Sequence, residues 1–230
     1  MRRFTIAACV IGLSTVAANA AILTQTQNFG PNTPDYTQTL TFDQFDTMGG
    51  TRVLKGITIT MDLTSSNGVA GADNDSPTAQ SVDIEFGVSG SLSSTDVGLI
   101  NDLLLPLSLD TSVVAMASPN LDANDGDAVN EYNAGGSDNF VLGPVAGGDS
   151  SSDAVGMVAW AGYIGVGTFD IDATLDTAFN ISGGTGVSGF FTPVTAEGSV
   201  TVEYTYNIVP EPTTLALFGL GAVALIRRRR

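Results

Sequence analysis

The sequence predicts an all-β protein, an antiparallel β-sandwich of jelly-roll type, on three observations. Four separated stretches alternate strictly between apolar and polar residues, the period of a strand with one dry and one wet face. Gly, Ser, Asn and Asp cluster between those stretches, as turns require. No internal repeat or coiled-coil heptad offers a competing architecture.

The first strand is read from Ile57, Ile59, Met61 and Leu63, which oppose Thr58, Thr60 and Asp62. In the second, Val82, Ile84, Phe86 and Val88 oppose Ser81, Asp83 and Glu85. The third sets Phe169, Ile171, Ala173 and Leu175 against Asp170, Asp172, Thr174 and Asp176. The fourth sets Val200, Val202, Tyr204, Tyr206 and Ile208 against Thr201, Glu203, Thr205 and Asn207. Such half-dry strands belong to antiparallel sheets, most simply two packed face to face. Turn clusters fill Ser65 to Pro77, Pro119 to Gly148 and Ser182 to Gly189, the middle one long enough for a functional insertion. Gly98 to Leu105 fits one short helix, capped by Ser94, Thr95 or Asp96 and ended by Pro106, while Leu103 to Leu109 fits a buried strand about as well.

The two ends carry a different pattern. Arg2 and Arg3 precede an apolar run from Phe4 to Val16, and Ala18-Asn19-Ala20 forms a small-x-small site, so residues 1–20 read as a leader cut before Ala21 by signal peptidase. Cys9 follows Ile6-Ala7-Ala8 in the manner of a lipoprotein box, but cutting there leaves an apolar run of only about five residues, below the usual 7–15. At the other end, Val209, Pro210, Glu211 and Pro212 precede an uncharged run of 14 residues, Thr213 to Ile226, and then Arg227, Arg228, Arg229 and Arg230. As a helix that run spans about 21 Å, short against a hydrocarbon core about 30 Å thick. Basic clusters at both extremes stay cytoplasmic under the positive-inside rule, which places everything between them across the membrane.

The order of tripeptide, apolar run and basic end resembles the PEP-CTERM sorting signal of bacterial exported proteins. That resemblance implies recognition by a membrane protease, an exosortase, cutting near Pro-Glu-Pro. It also implies a short transmembrane sorting helix that tethers the precursor to the inner membrane, with the mature form at the cell surface or outside. The chain then divides into a leader (1–20), an exported domain (21–209) and a sorting segment (210–230).

The exported domain holds 23 of the 24 acidic residues and only two basic ones, Arg52 and Lys55, for a net charge of −21. Such a field repels nucleic acid and anionic lipid and attracts divalent cations or basic partners. Nucleic-acid binding is excluded. With Cys9 lost in the leader, no cysteine remains for disulfides or metal ligation. The chain has no histidine, which removes serine–histidine and cysteine–histidine hydrolase chemistry and the commonest transition-metal ligand.

Leu54-Lys55-Gly56-Ile57-Thr58-Ile59-Thr60, Tyr163-Ile164-Gly165-Val166-Gly167-Thr168-Phe169 and Glu197-Gly198-Ser199-Val200-Thr201-Val202-Glu203-Tyr204-Thr205-Tyr206 together resemble strands of the choice-anchor E domain, a group of bacterial exported domains. The stretch from Pro119 to Asp153 departs from a compact version of it. The resemblance carries no catalytic residues.

Four places merit weighing as sites. Asp122-Ala123-Asn124-Asp125-Gly126-Asp127 supplies the clustered oxygens calcium wants. It fails the EF-hand pattern, since Gly126 takes the fifth position and Asn133 stands where a glutamate is needed. It is either a solvated acidic turn or a non-EF calcium site, with Asp122, Asn124, Asp125 and Asp127 as ligands and Asp138, Asp149 or Asp153 completing them. Asp73-Asn74-Asp75 is a weaker version of the same idea. Asp170, Asp172 and Asp176 share a strand face at spacing permissible for glycoside hydrolysis, with nothing evident to raise one pKa. Trp160 and Tyr163 could stack on sugar rings, although Val158-Ala159-Trp160-Ala161 reads as core. The expectation is a non-enzymatic, exosortase-processed protein of the envelope or extracellular matrix, associated with biofilm or exopolysaccharide. The alternative is a secreted carbohydrate- or calcium-dependent binding module.

Overall fold

The computed structural model describes residues 20–126 and 136–209. The expected leader up to Asn19, the sorting segment from Pro210 onward and Asp127 lie outside the described residues. The strands in chain order are β1 (Ala20–Asn32), β2 (Tyr36–Asp43), β3 (Arg52–Ser66), β4 (Val69–Asn74), β5 (Gln80–Ser81), β6 (Asp83–Ser93) and β7 (Thr111–Ala117). They continue with β8 (Asn120–Leu121), β9 (Asn139–Leu142), β10 (Gly147–Ala154), β11 (Thr168–Ser182), β12 (Val187–Thr192) and β13 (Thr195–Ile208). One short helix, α1 (Trp160–Tyr163), follows a 3-10 turn at Met157–Ala159. No helix among the described residues is long and apolar enough to cross a membrane.

Two four-stranded antiparallel sheets form the body, ordered β1-β13-β3-β10 and β2-β11-β6-β7. The body strands alternate between the two sheets along the chain except β6 and β7, which pair within one of them, an antiparallel arrangement consistent with an all-β sandwich. The four stretches read from alternation are β3, β6, β11 and β13, the central strands of the two sheets. Their apolar rows meet in one core that includes Ile57, Ile59, Met61, Leu63, Val200, Val202 and Tyr204. Ile57, Ile59, Met61 and Leu63 are each at most 1% exposed, so that row alone contributes about 6–12 kcal/mol of gross burial. The register sets Met61 against Val200, Ile59 against Val202 and Ile57 against Tyr204. It slips by one residue at Lys55, where Gly56 faces Thr205 but Leu54 faces Tyr206. This bulge turns Leu54 and Tyr206 inward together and leaves Lys55 in solvent.

The stretch from Gly98 to Leu105 forms neither the expected helix nor a buried strand. The Asn101 side-chain oxygen accepts the backbone N–H groups of Leu103 and Leu105 at 2.9 and 3.2 Å, and its carbonyl accepts Leu104 N–H at 3.0 Å. An asparagine so placed offers the backbone a local alternative to helix, and Pro106 forbids continuation. The result is a narrow finger, closed at its base by Leu107 N–H on Leu99 O at 3.0 Å. Ser94, expected as a helix cap, caps a turn instead, its Oγ accepting Asp96 and Val97 N–H at 3.2 Å each.

Candidate functional site

The sandwich has two unlike ends. β3 begins at one with Arg52 and finishes at the other with Ser66, while β13 runs the opposite way from Thr195 to Ile208. The chain therefore leaves the described fold at the Arg52 end, where Val209 N–H donates to Thr51 O at 2.8 Å. β1 starts there too, with Ala20 paired to Asn207. We call this the exit end.

Aromatic rings close the exit end from within. Phe45 lies 5.5 Å from the Tyr204 ring and 5.3 Å from that of Tyr206, centroid to centroid. The Arg52 guanidinium sits 5.3 Å above the Tyr206 ring. Tyr204 donates to Asp43 O at 3.2 Å and Tyr163 to Gly98 O at 3.1 Å. Burial holds both phenols well above their ordinary range, with the neighbouring Tyr204 adding to Tyr163 and Asp43 to Tyr204. Gln44 pins the segment after α1, donating to Gly162 O at 2.8 Å and accepting from Gly167 N–H at 3.1 Å. A Cβ on Gly165 would stand 2.1 Å from the Gln44 side-chain oxygen, so a larger residue there would displace the Gln44 amide from these contacts. A cleft of about 340 Å³ opens beside this cluster, lined in part by Asp46, Arg52 and Val166.

The far end carries the acidic loops. β4 leads from Ser66 towards β6 and β12 leads from β11 to Thr195, so the small sheet β12-β4-β9 spans that end. Beside it, Asp125 N–H donates to Asp138 Oδ2 at 2.8 Å and Gly126 N–H to Asn124 Oδ1 at 2.7 Å. Asp122 contributes main-chain groups, its carbonyl accepting the Asn74 side-chain amide and its N–H meeting Ser137 O. Asp138 is fully buried, and its second oxygen, Oδ1, has no hydrogen-bond partner among the described residues. A Cβ on Gly136 would stand 2.7 Å from that oxygen and 3.1 Å from Asp125 Oδ2, so both carboxylates flank the same bare glycine. Of the expected calcium ligands the fold thus gathers Asp125 with Asp138, turns Asn124 onto the loop itself, and uses Asp122 through its backbone. Among the described residues no three acidic, cysteine or histidine side chains converge as a metal-holding group.

The other two candidates resolve into structure. Asp170 and Asp172 accept the hydroxyls of Thr41 and Thr39 at 2.7 and 2.6 Å, rungs of a solvent-facing ladder. Tyr163 is fully buried and Trp160 donates its indole N–H to Val155 O at 3.0 Å. The pair therefore offers no joint stacking platform for a sugar. Asp149 and Asp153 are engaged at the sheet edge by Ser112 and Ser108 N–H, at 2.8 and 2.9 Å. The buried Asp138 was legible as a remote ligand but not as the loop's anchor, since nothing local distinguishes it from the other aspartates.

What continues from the exit end decides the comparison with known proteins. Residues 209–230 match a PEP-CTERM protein-sorting motif. The chain matches no curated protein. Among solved structures it is similar to the infectious bursal disease virus VP2 subviral particle at 9% identity, covering 90% of this chain and 47% of that one, with a TM-score of 0.21. A second, the infectious bursal virus derived T=1 particle, gives 10% identity, 90% and 46% coverage and a TM-score of 0.23. The chain spans about half the length of these structures.

Proposed function

We propose that this is an exported protein of the bacterial envelope or extracellular matrix, cut by an exosortase and acting without catalysis in a structural or adhesive role. The PEP-CTERM motif at residues 209–230 carries the reading. The leader pattern supports export, and the lack of histidine in the sequence supports a non-enzymatic role. Resemblance of residues 54–60, 163–169 and 197–206 to the choice-anchor E strands favours the same placement. β13 ends at Ile208, one residue before the motif begins, so a cut near Pro-Glu-Pro separates the tail without removing a strand. The test is expression with and without an exosortase, followed by intact-mass measurement. A product running from Ala21 to a C-terminus between Val209 and Pro212 is expected, and a product still ending in Arg230 beside an active exosortase would refute the reading.

A second reading, a calcium-dependent binding module, is supported by Asp138, a buried carboxylate beside Asp125 with one oxygen unengaged among the described residues. Its ligands would be Asp125, Asp138 and carbonyls of the 122–127 loop.

A further inference from the structure

Exposed apolar side chains are not scattered over this protein. Fifteen large ones are exposed among the described residues, and all but Met116, Val141 and Phe191 lie at or near the exit end. The finger tip presents Leu103, Leu104 and Leu105, which are 77%, 65% and 55% exposed. Beside it stand Met157 and Val158, held there because Gly156 N–H donates to Ile100 O and Met157 N–H to Asp102 Oδ1. Val166, 89% exposed, and Ile164, bridged to Phe45, are exposed at this end too. Met48, Ile208 and Val209 border the point of departure of the chain. Exposed apolar groups occurring singly need no explanation, but three successive exposed leucines beside Met157 and Val158 mark an interaction surface.

Charge is arranged in the same sense. Arg52 and Lys55, the domain's two basic residues, both belong to this end. This end also carries carboxylates: Asp46 accepts Met48 N–H and Asp102 accepts Met157 N–H, each at 2.7 Å, Asp96 accepts Asp170 N–H at 3.0 Å, and Asp43 lines the same cleft as Arg52. The rest of the domain has no basic residue, and residues 21–209 carry a net charge of −21. Among the described residues most of the large exposed apolar side chains and both basic residues thus gather at the end where β13, the last strand before the sorting motif in the sequence, finishes and where β1 begins.

We propose that the exit end is a membrane-docking face, with Leu103, Leu104, Leu105, Met157 and Val158 entering the headgroup region of the bilayer that holds the tail. Arg52 and Lys55 face lipid phosphates, and the acidic far end points away. Docking would hold Pro210 to Pro212 at the membrane surface, where a membrane protease can reach them. This rests on the sorting reading, in which the tail is a membrane anchor.

The full chain carrying Cys9→Ser has no cysteine, so single probes can be placed cleanly. An environment-sensitive fluorophore is attached at Val158→Cys or, on the far end, at Ala79→Cys. The chains are reconstituted in vesicles of zwitterionic phosphatidylcholine, which the domain's negative charge does not repel, with spin-labelled lipids as quenchers. Expected is vesicle flotation, blue-shifted and quenched emission at Val158→Cys, and water-like emission at Ala79→Cys. Adding Leu103→Ser, Leu104→Ser and Leu105→Ser, all solvent-exposed changes, should abolish most of the quenching while flotation persists. Flotation with water-like emission at both sites overturns the docking face and leaves the anchor standing. Shielding at Val158→Cys without lipid quenching means another segment or a second copy covers the face, which also overturns it. Failure to float removes the anchor reading and the docking face with it.

Discussion

Gly198 is the most constrained position in the sheet that carries the tail. It lies in β13 between Phe29 of β1 and Leu63 of β3. A Cβ at this position would stand 2.0 Å from Asp62 O and 2.5 Å from the Phe29 ring. The carbonyl belongs to the neighbouring backbone and the ring is 1% exposed, so neither can move aside freely. Overpacking of a filled interior costs about 1–3 kcal/mol, and a backbone collision belongs to the upper half of that range. For a domain of this size 1 kcal/mol corresponds to about 2–4 °C, so Gly198→Ala should lower Tm by roughly 4–12 °C. Gly56→Ala is the matched control, because the nearest atom to its Cβ, on Thr205, is 3.9 Å away. There the loss of backbone freedom in the unfolded chain dominates, and stability should hold or rise by about 0.4–1 kcal/mol. Thermal unfolding of both variants beside the parent measures the contrast. Equal melting of Gly198→Ala and parent would show that the β1-β13-β3 register is wrong.

Sodium chloride should raise Tm between low and moderate concentration by screening the −21 charge of residues 21–209; a flat or falling Tm would count against that self-repulsion. Calcium and magnesium should stabilise alike, as diffuse counter-ions do. A calcium-specific rise, about 2.7 kcal/mol at a hundredfold excess over Kd, lost in Asp125→Ala with Asp138→Ala, would instead establish the binding-module reading. Tyr163 and Tyr204 are held neutral by burial, so their contribution is complete below the ordinary phenol pKa near 10 and is lost as pH rises beyond it. Absorbance titration should find these two phenols ionising only with unfolding, and Tm falling above about pH 10; their free titration in folded protein would contradict the packing.

The sandwich was legible because its four central strands are the ones whose two faces differ most. Ile57 to Leu63 and Val200 to Tyr206 bury every second residue, and alternation is the direct trace of that. Edge and capping strands leave no such trace. β10 reads Gly-Gly-Asp-Ser-Ser-Ser-Asp-Ala and joins β3 through backbone pairing and polar contacts such as Thr60 with Ser152 at 2.9 Å. β4 and β12 fall within stretches rich in turn residues, and β4 packs Ala70 and Ala72 into the core in place of larger side chains. The finger at Asn101 was misread because one side-chain oxygen overrides the apolar run that follows it. At the sites, the sorting tripeptide is local and needs no fold to be seen. Residues 48, 103, 158, 166 and 208 are far apart in sequence, and only the winding brings these exposed apolar side chains to one end of the sandwich.

The pairing of β1 with β13 also bears on timing. Ala20 meets Asn207 and Phe29 meets Gly198, so the first strand and the last are neighbours although almost the whole chain separates them. β1 has a ladder with no other strand among the described residues. A chain threaded across a membrane from its N-terminus would present β1 first and β13 last. Until β13 emerges, β1 has no ladder partner and Phe29 no lid, and the sheet containing β3 lacks its centre. Completion of that sheet would then coincide with arrival of the sorting segment at the membrane. The last strand to emerge would act as a latch, keeping the chain pliable throughout passage and closing the fold at the moment the tail comes within reach of its protease.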